Sequence, residues 1–265
     1  VSRRYRYRVP ILNEIYQLWL YRNLKKLFKG KKIQIVCSDF GGYLITRFFS
    51  HVIYFASDDY INNVNVPFFV KKYSAFTQKQ LINKVQFTIA TAKNLVNQFS
   101  KHNKKSFELA LGAPNFSLNT PVENIIRPRS GNIKIVLLGY IDKIKTPVIL
   151  LNQLLALGNT ELYLIGPIKD NFLELLNYSE RTFPLGVKTG ISLMETLLKM
   201  DVGIAPYYLN DPNSGRTPNK MWQYLAAGKP SVISNLPNVQ HWRFPKDTVY
   251  KANSNEEFIE FVKLA

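Results

Sequence analysis

Cysteine is almost absent from this chain, with Cys37 alone in 265 residues. A disulfide framework is therefore excluded, and the usage agrees with a reducing compartment. The three histidines, His51, His102 and His241, are scattered, so together with one cysteine they offer no ligand set for zinc. Long apolar runs are missing too; none approaches the roughly 18 to 20 residues that a membrane-spanning helix needs. No signal-peptide pattern is visible at the start. G-x-G-x-x-G, the P-loop and the G-x-S-x-G elbow do not occur, which removes the dinucleotide, NTPase and serine-hydrolase fingerprints.

Carboxylates are also scarce: 18 Asp/Glu face 35 Lys/Arg, for a net charge of +17. The imbalance is concentrated. Residues 1–116 hold 19 Lys/Arg against 5 Asp/Glu, a net of +14, and the remainder only +3. The first half is thus expected to meet a polyanion, either nucleic acid or an anionic membrane. "RRYRYR" (3–8) and "YRNLKKLFKGKK" (21–32) mix cations with aromatics, a blend that suits the bilayer interface as well as phosphates and bases. A solvated basic face is the plain alternative. Hydrophobic residues make up 46%, enough for a globular chain of one large or two modest domains.

Apolar periodicity predicts a helix over 9–29, with Ile11, Ile15, Leu18, Leu24 and Phe28 among its apolar positions. Strands follow at 32–40, 51–60 and 86–91, and helices near 42–49, 74–85 and 92–102. A polar, proline-containing passage at 118–132 reads as a linker between a domain at 1–117 and another at 133–265. The alternation then restarts, with strands at 133–139, 161–166, 182–186, 201–207 and 230–234. Helices are expected near 147–157, 170–177 and 192–200. Strands alternating with helices predict parallel sheets covered on both faces, with ligands beyond the carboxyl ends of the strands. Two such domains facing each other make a cleft.

"RTPNKMWQYLAAGKPSVIS" (216–234) carries both ends of a helix in its sequence. Thr217 suits the N-cap, Pro218 the first helical position and Gly228 the left-handed stop. Arg216 and Lys220 stand at the end that is already the positive pole of the helix, which favours an anion between them. Lys220 and Gln223 are three apart and share a face. Asp58 and Asp59 end the strand "VIYFASDDY", a place where carboxylates often serve only as turn or cap residues.

"DVGIAPYYLNDPNSGRTPNKMWQYLAAGKPSVIS" resembles the donor-domain signature of GT-B glycosyltransferases, a strand ending "GIAPY" followed by P-x-K-x-x-x-Y-x-A-x-G-K-P. "VLLGYID" and "LYLIGPI" match the two preceding strand–loop units, and "VIYFASDDY" resembles the strand that precedes the interdomain cleft. Within the family, Tyr54–Asp58 and Lys220–Tyr224 are similar to segments of the xanthan-type, membrane-associated β-glucuronosyltransferases (GumK-like). The resemblance implies a GT-B α/β fold of two Rossmann-like domains, the first of them incomplete. It implies Asp58 as general base, with Asp59 the substitute, and Lys220 as a ligand of the donor diphosphate. Gln223 is implied at the ribose or phosphate, and Tyr207, Asn219, Gly139, Tyr140 and Lys145 complete the donor-binding set. Lys143 and Lys188 are further phosphate candidates.

Many relatives place a Glu where Gln223 stands and another eight residues earlier, where this chain has Gly215. That departure favours the inverting branch over the retaining one. The expected enzyme is an inverting, metal-independent glycosyltransferase without a cofactor. It would move a sugar, with glucuronate as one candidate, from a UDP-sugar to a glycan or lipid-linked oligosaccharide at the cytoplasmic face of a membrane. The competing readings are a retaining GT-B hexosyltransferase, an inactive sugar-nucleotide-binding homologue, and a basic nucleic-acid-binding α/β protein. The last lacks an RRM, KH or helix-turn-helix pattern, so no nucleic-acid partner is expected.

Overall fold

The computed structural model describes residues 9–59, 61, 67–110, 112, 131–169, 171–209 and 217–265. The chain divides into two compact units, one ending at residue 111 and the other taking nearly all of the rest. The basic stretch 3–8 and Arg216 lie outside the described residues, as does all but the end of the expected linker.

In the first unit, four parallel strands stand in the order β1 (Ile35–Cys37), β2 (Val52–Ala56), β3 (Phe87–Ala90) and β4 (Ser106–Glu108). Among the described residues, the α-helices α1 (Pro10–Leu27), α2 (Phe68–Ile82) and α3 (Lys93–Ser100) accompany them. Tyr54 and Ala56 of β2 point into a core shared with Leu81, Leu95 and Phe99. Burial of Cys37 pushes its thiol up to about 11, so it packs as a small apolar side chain and is no nucleophile at neutral pH.

Helix α1 has close to the expected span, and Leu18 and Leu24 pack against the core as expected, but its N-terminal half buries polar residues. Asn13, Gln17 and Tyr21 are its buried residues, while Ile11 and Ile15 are exposed. The reason is hydrogen bonding. The Asn13 amide donates to the Gly41 carbonyl and to the Tyr73 hydroxyl, and the Leu44 N–H donates to Gln17 Oε1. Such bonds to a loop outweigh the preference of an isolated amphipathic helix, because unmaking them strands buried polar groups.

In the second unit, six parallel strands stand in the order β10-β9-β8-β5-β6-β7. They are β5 (Ile133–Leu138), β6 (Thr160–Ile165), β7 (Thr182–Pro184), β8 (Val202–Ala205), β9 (Ser231–Ser234) and β10 (Val249–Ala252). The chain runs outward from β5 through β6 to β7, then returns to the far side of β5 and continues through β8 to β10. Its order therefore reverses between β5 and β8, the switch point where open α/β sheets bind ligands. Ile135 and Leu137 belong to the core under one face, and Val136 and Leu138 to the core under the other. Burial on both faces explains why Ile135–Leu138 of β5 read as a continuous apolar run. Helices α4 (Val148–Ala156), α5 (Gly190–Leu198), α6 (Lys220–Ala226) and α7 (Asn255–Leu264) accompany the strands.

The helix expected near 170–177 is only a 3-10 turn, Phe172–Leu175. No helix among the described residues is long and apolar enough to cross a membrane.

Candidate functional site

Helix α6 begins at Lys220, two residues later than its sequence signals indicate. Thr217 does not cap it. The residue before the first turn is Asn219, itself in helical backbone geometry and without a side-chain capping bond. The entry is tighter than α-helical, with Met221 N–H donating to the Pro218 carbonyl and Trp222 N–H to that of Asn219. Gly228 does stop the helix, at φ 68°. Its N–H donates to Leu225 and the Lys229 N–H to Tyr224, both through carbonyls, the paired bonds of a Schellman end. A helix of 7 residues carries less aligned dipole than the longer one expected. The positive charge at this place is chiefly that of Lys220 itself.

Two long-range contacts seat α6 on the switch point. The Tyr224 hydroxyl accepts from Leu138 N–H at 2.8 Å and donates to the Ile204 carbonyl at 3.1 Å. It thus ties the helix to β5 and β8, the two strands between which the order reverses. Burial pushes the Tyr224 phenol well above its ordinary range, so the hydroxyl stays neutral and keeps both bonds. Gly203 makes the approach possible, since a Cβ there would collide with the Tyr224 ring. Tyr224→Phe preserves the ring but leaves the buried Leu138 N–H without an acceptor. We expect it to cost about 1–3 kcal/mol, seen as a lowered midpoint in thermal or urea unfolding.

Lys220 then lies over the end of β5. Its Nζ is 3.9 Å from where a Cβ on Gly139 would stand, and 5.3 Å from the centre of the Tyr207 ring. Tyr207 follows β8, and Ser234 at the end of β9 holds its backbone. The Ser234 hydroxyl accepts from Tyr207 N–H at 2.8 Å and donates to the Tyr207 carbonyl at 2.9 Å. Two amides complete the group. Asn219 Oδ1 and Gln223 Oε1 are buried without a hydrogen-bond partner, four residues apart and so on one face of the turn. Native proteins leave few buried acceptors in this state.

Tyr140 and Lys145 form a group of their own after β5. The Lys145 ammonium lies 5.2 Å from the Tyr140 ring centre and 3.7 Å from a carboxylate oxygen of Asp142. Asp142 is buried, and its other oxygen accepts the N–H groups of Ile144 and Lys145. Lys143 is exposed, and Lys188 is half-buried in the loop after β7.

Asp58 and Asp59 belong to the first unit. Thr91, after β3, fixes the turn that carries them. Its N–H donates to the Ala56 carbonyl and its hydroxyl to that of Ser57. Asp58 Oδ1 accepts the Asp59 N–H at 2.8 Å. Asp58 is half-buried and Asp59 buried, so Asp58 has the more accessible carboxylate.

Sequence reasoning missed Ser234, Thr91, Gly203 and the part played by Tyr224. A glycine inside the strand "DVGIA" was an available signal of close backbone approach. The others act through contacts that local patterns do not encode. Among the described residues no group of three or more His, Cys, Asp or Glu could hold a metal ion.

No family model matches the chain. It is 30% identical over 158 residues to the teichuronic acid biosynthesis glycosyltransferase TuaH of Bacillus subtilis, a match that spans 56% of this chain and 38% of that protein. Among solved structures, Anabaena HepE in complex with UDP and glucose superposes with a TM-score of 0.68 at 11% identity, over 94% of this chain and 71% of that one. WaaG, a glycosyltransferase involved in lipopolysaccharide biosynthesis, gives a TM-score of 0.64 at 17% identity, over 95% and 73%. A glycosyltransferase from Rickettsia africae gives 0.64 at 16% identity, over 97% and 71%. With its two all-parallel sheets, the chain has the α/β fold of the GT-B glycosyltransferases.

Proposed function

We propose that the chain is a glycosyltransferase that takes its donor sugar from UDP. The observation that carries this reading is the cluster at the β5/β8 switch point. There Lys220 lies against Gly139 and Tyr207, and in the same helical turn Asn219 and Gln223 carry buried amide oxygens without a partner. A diphosphate supplies the anion that Lys220 faces, and ribose hydroxyls supply the donors that Asn219 and Gln223 accept from. Lys145 and Tyr140 are a second phosphate contact, reached if Lys145 exchanges its Asp142 carboxylate for the donor. The neighbouring HepE complexes with UDP and UDP-glucose support a uridine diphosphate donor.

The proposed transfer is inverting, without a metal or cofactor. Asp58 takes the proton from the acceptor hydroxyl, and that oxygen attacks the anomeric carbon of the sugar. The bond from that carbon to the β-phosphate oxygen breaks, and its electron pair leaves with UDP. Lys220 stabilises the charge that grows on the diphosphate, which lowers the barrier directly. The acceptor is a glycan or lipid-linked oligosaccharide at the cytoplasmic face of a membrane. Its class is supported by the teichuronic acid biosynthesis named for TuaH and the lipopolysaccharide biosynthesis named for WaaG. Glucuronate is the donor sugar favoured by the GumK-like segments, and the basic first unit holds the enzyme at anionic lipid.

A panel of UDP-sugars, read by released UDP, tests the reading. One sugar is expected to be turned over well above the others, with an inverted anomeric configuration in the product. Retention would point to a hexosyltransferase of the retaining kind. Salt-sensitive binding to RNA or DNA without affinity for UDP would replace the enzyme by a nucleic-acid-binding protein.

A further inference from the structure

Helix α1 packs Leu18, Leu20 and Leu24 against the core beside its buried polar residues, and leaves a second apolar face, in its N-terminal half, exposed. Asn13, Gln17 and Tyr21 are buried against the loop that follows β1, where Tyr21 donates to the Gly42 carbonyl and Tyr43 donates to Glu14. Ile11, Ile15 and Trp19, on the opposite face, are 68%, 58% and 62% exposed. Their fourfold spacing makes one stripe, beside which Val9 and Leu12 are also exposed. Continued along the helix, the stripe reaches Arg22 and Lys26, and Lys25, Lys29, Lys31 and Lys32 follow. Residues 9–32 hold six Lys/Arg and a single carboxylate, Glu14, to which Tyr43 is already bonded.

We infer that α1 is an in-plane membrane-docking helix, with Ile11, Ile15 and Trp19 entering the headgroup–acyl boundary of an anionic bilayer. The assignment deepens the membrane contact proposed above and rests on it. Charge complementarity selects the occupant: an exposed apolar stripe with lysine and arginine beside it, and almost no acid, fits anionic lipid. Tryptophan at the edge of the stripe sits where its ring is favoured, at the membrane–water boundary. The inward bonds of Asn13, Gln17 and Tyr21 fix the helix about its axis, so the apolar side chains cannot be buried by rotation without breaking them.

Co-sedimentation of the full chain with phosphatidylcholine–phosphatidylglycerol vesicles, and with phosphatidylcholine alone, tests the inference. The wild type is expected to bind the anionic vesicles at low salt and to lose binding as salt rises. Combining Ile11→Ser, Ile15→Ser and Trp19→Ser, all exposed positions, should weaken that binding at least about tenfold while UDP affinity and the circular dichroism spectrum stay unchanged. Absence of wild-type binding, or equal binding by the variant, overturns it. So does light scattering that shows a wild-type dimer dissociated by the three substitutions, because a second copy would then cover the stripe. Loss of UDP binding with vesicle binding intact would strike the donor site and leave this inference standing.

Discussion

Asp58→Asn is expected to lower transfer by about 10²–10⁴-fold, the range that a positioned general base contributes, while UDP binds as in the wild type. Asparagine preserves the shape of the side chain and an oxygen able to accept the Asp59 N–H, so the turn pinned by Thr91 stays in place. Only the capacity to take a proton is removed. Asp59→Asn is the control. Asp59 is buried, and its replacement should act mainly on stability. Turnover lost in Asp59→Asn and kept in Asp58→Asn would move the base to the neighbouring carboxylate. Near-normal turnover in both would end the assignment of this strand end to chemistry.

Lys220→Met should weaken UDP binding by roughly 10- to 150-fold, which corresponds to the about 1.5–3 kcal/mol of a hydrogen bond to a charged group. Methionine retains most of the aliphatic stem that passes Gly139 and Tyr207, so the loss reads the ammonium rather than the packing. Turnover at saturating donor should fall further, by about 10²–10³-fold, because charge on the diphosphate increases as the sugar leaves. Titration calorimetry and initial rates separate the two effects. An unchanged affinity with reduced turnover would place Lys220 at the acceptor or the sugar instead.

The strand–helix alternation was legible because parallel strands buried on both faces are short apolar runs, and those of β5, β6 and β8 stand out from their surroundings. Gly228 was legible for a related reason: a left-handed stop has one preferred residue, followed here by Lys229 and Pro230. The start of α6 was not. Thr217 and Pro218 are good opening residues, but the Tyr224 hydroxyl bonds to β5 and β8 settle where the helix sits, and its first full turn begins after both. In helix α1, Leu18 and Leu24 pack against the core as periodicity predicts, but Ile11 and Ile15 do not, because the carbonyls of Gly41 and Gly42 and the N–H of Leu44 drew polar side chains inward instead.

The short outer strands β4 and β10 lack the long apolar runs of the central ones, which is why pattern alone passed over them. Helix α7 was passed over as well, although Ser254 and Glu257, a capping pair in which Ser254 accepts the Glu257 N–H, marked its start. Within the candidate site, Lys220 and Gln223 were singled out by the resemblance and by their three-residue spacing. Ser234 could not, because its contact with Tyr207 spans 27 residues.

The central claim is that the β5/β8 switch point of the second unit is a diphosphate site. Titrating the full chain with UDP, UMP and uridine in parallel tests it most directly. UDP should bind at least about tenfold more tightly than UMP, as expected when a second phosphate meets Lys220, and uridine should bind most weakly. Equal affinity for all three, or no binding of UDP, would contradict the account.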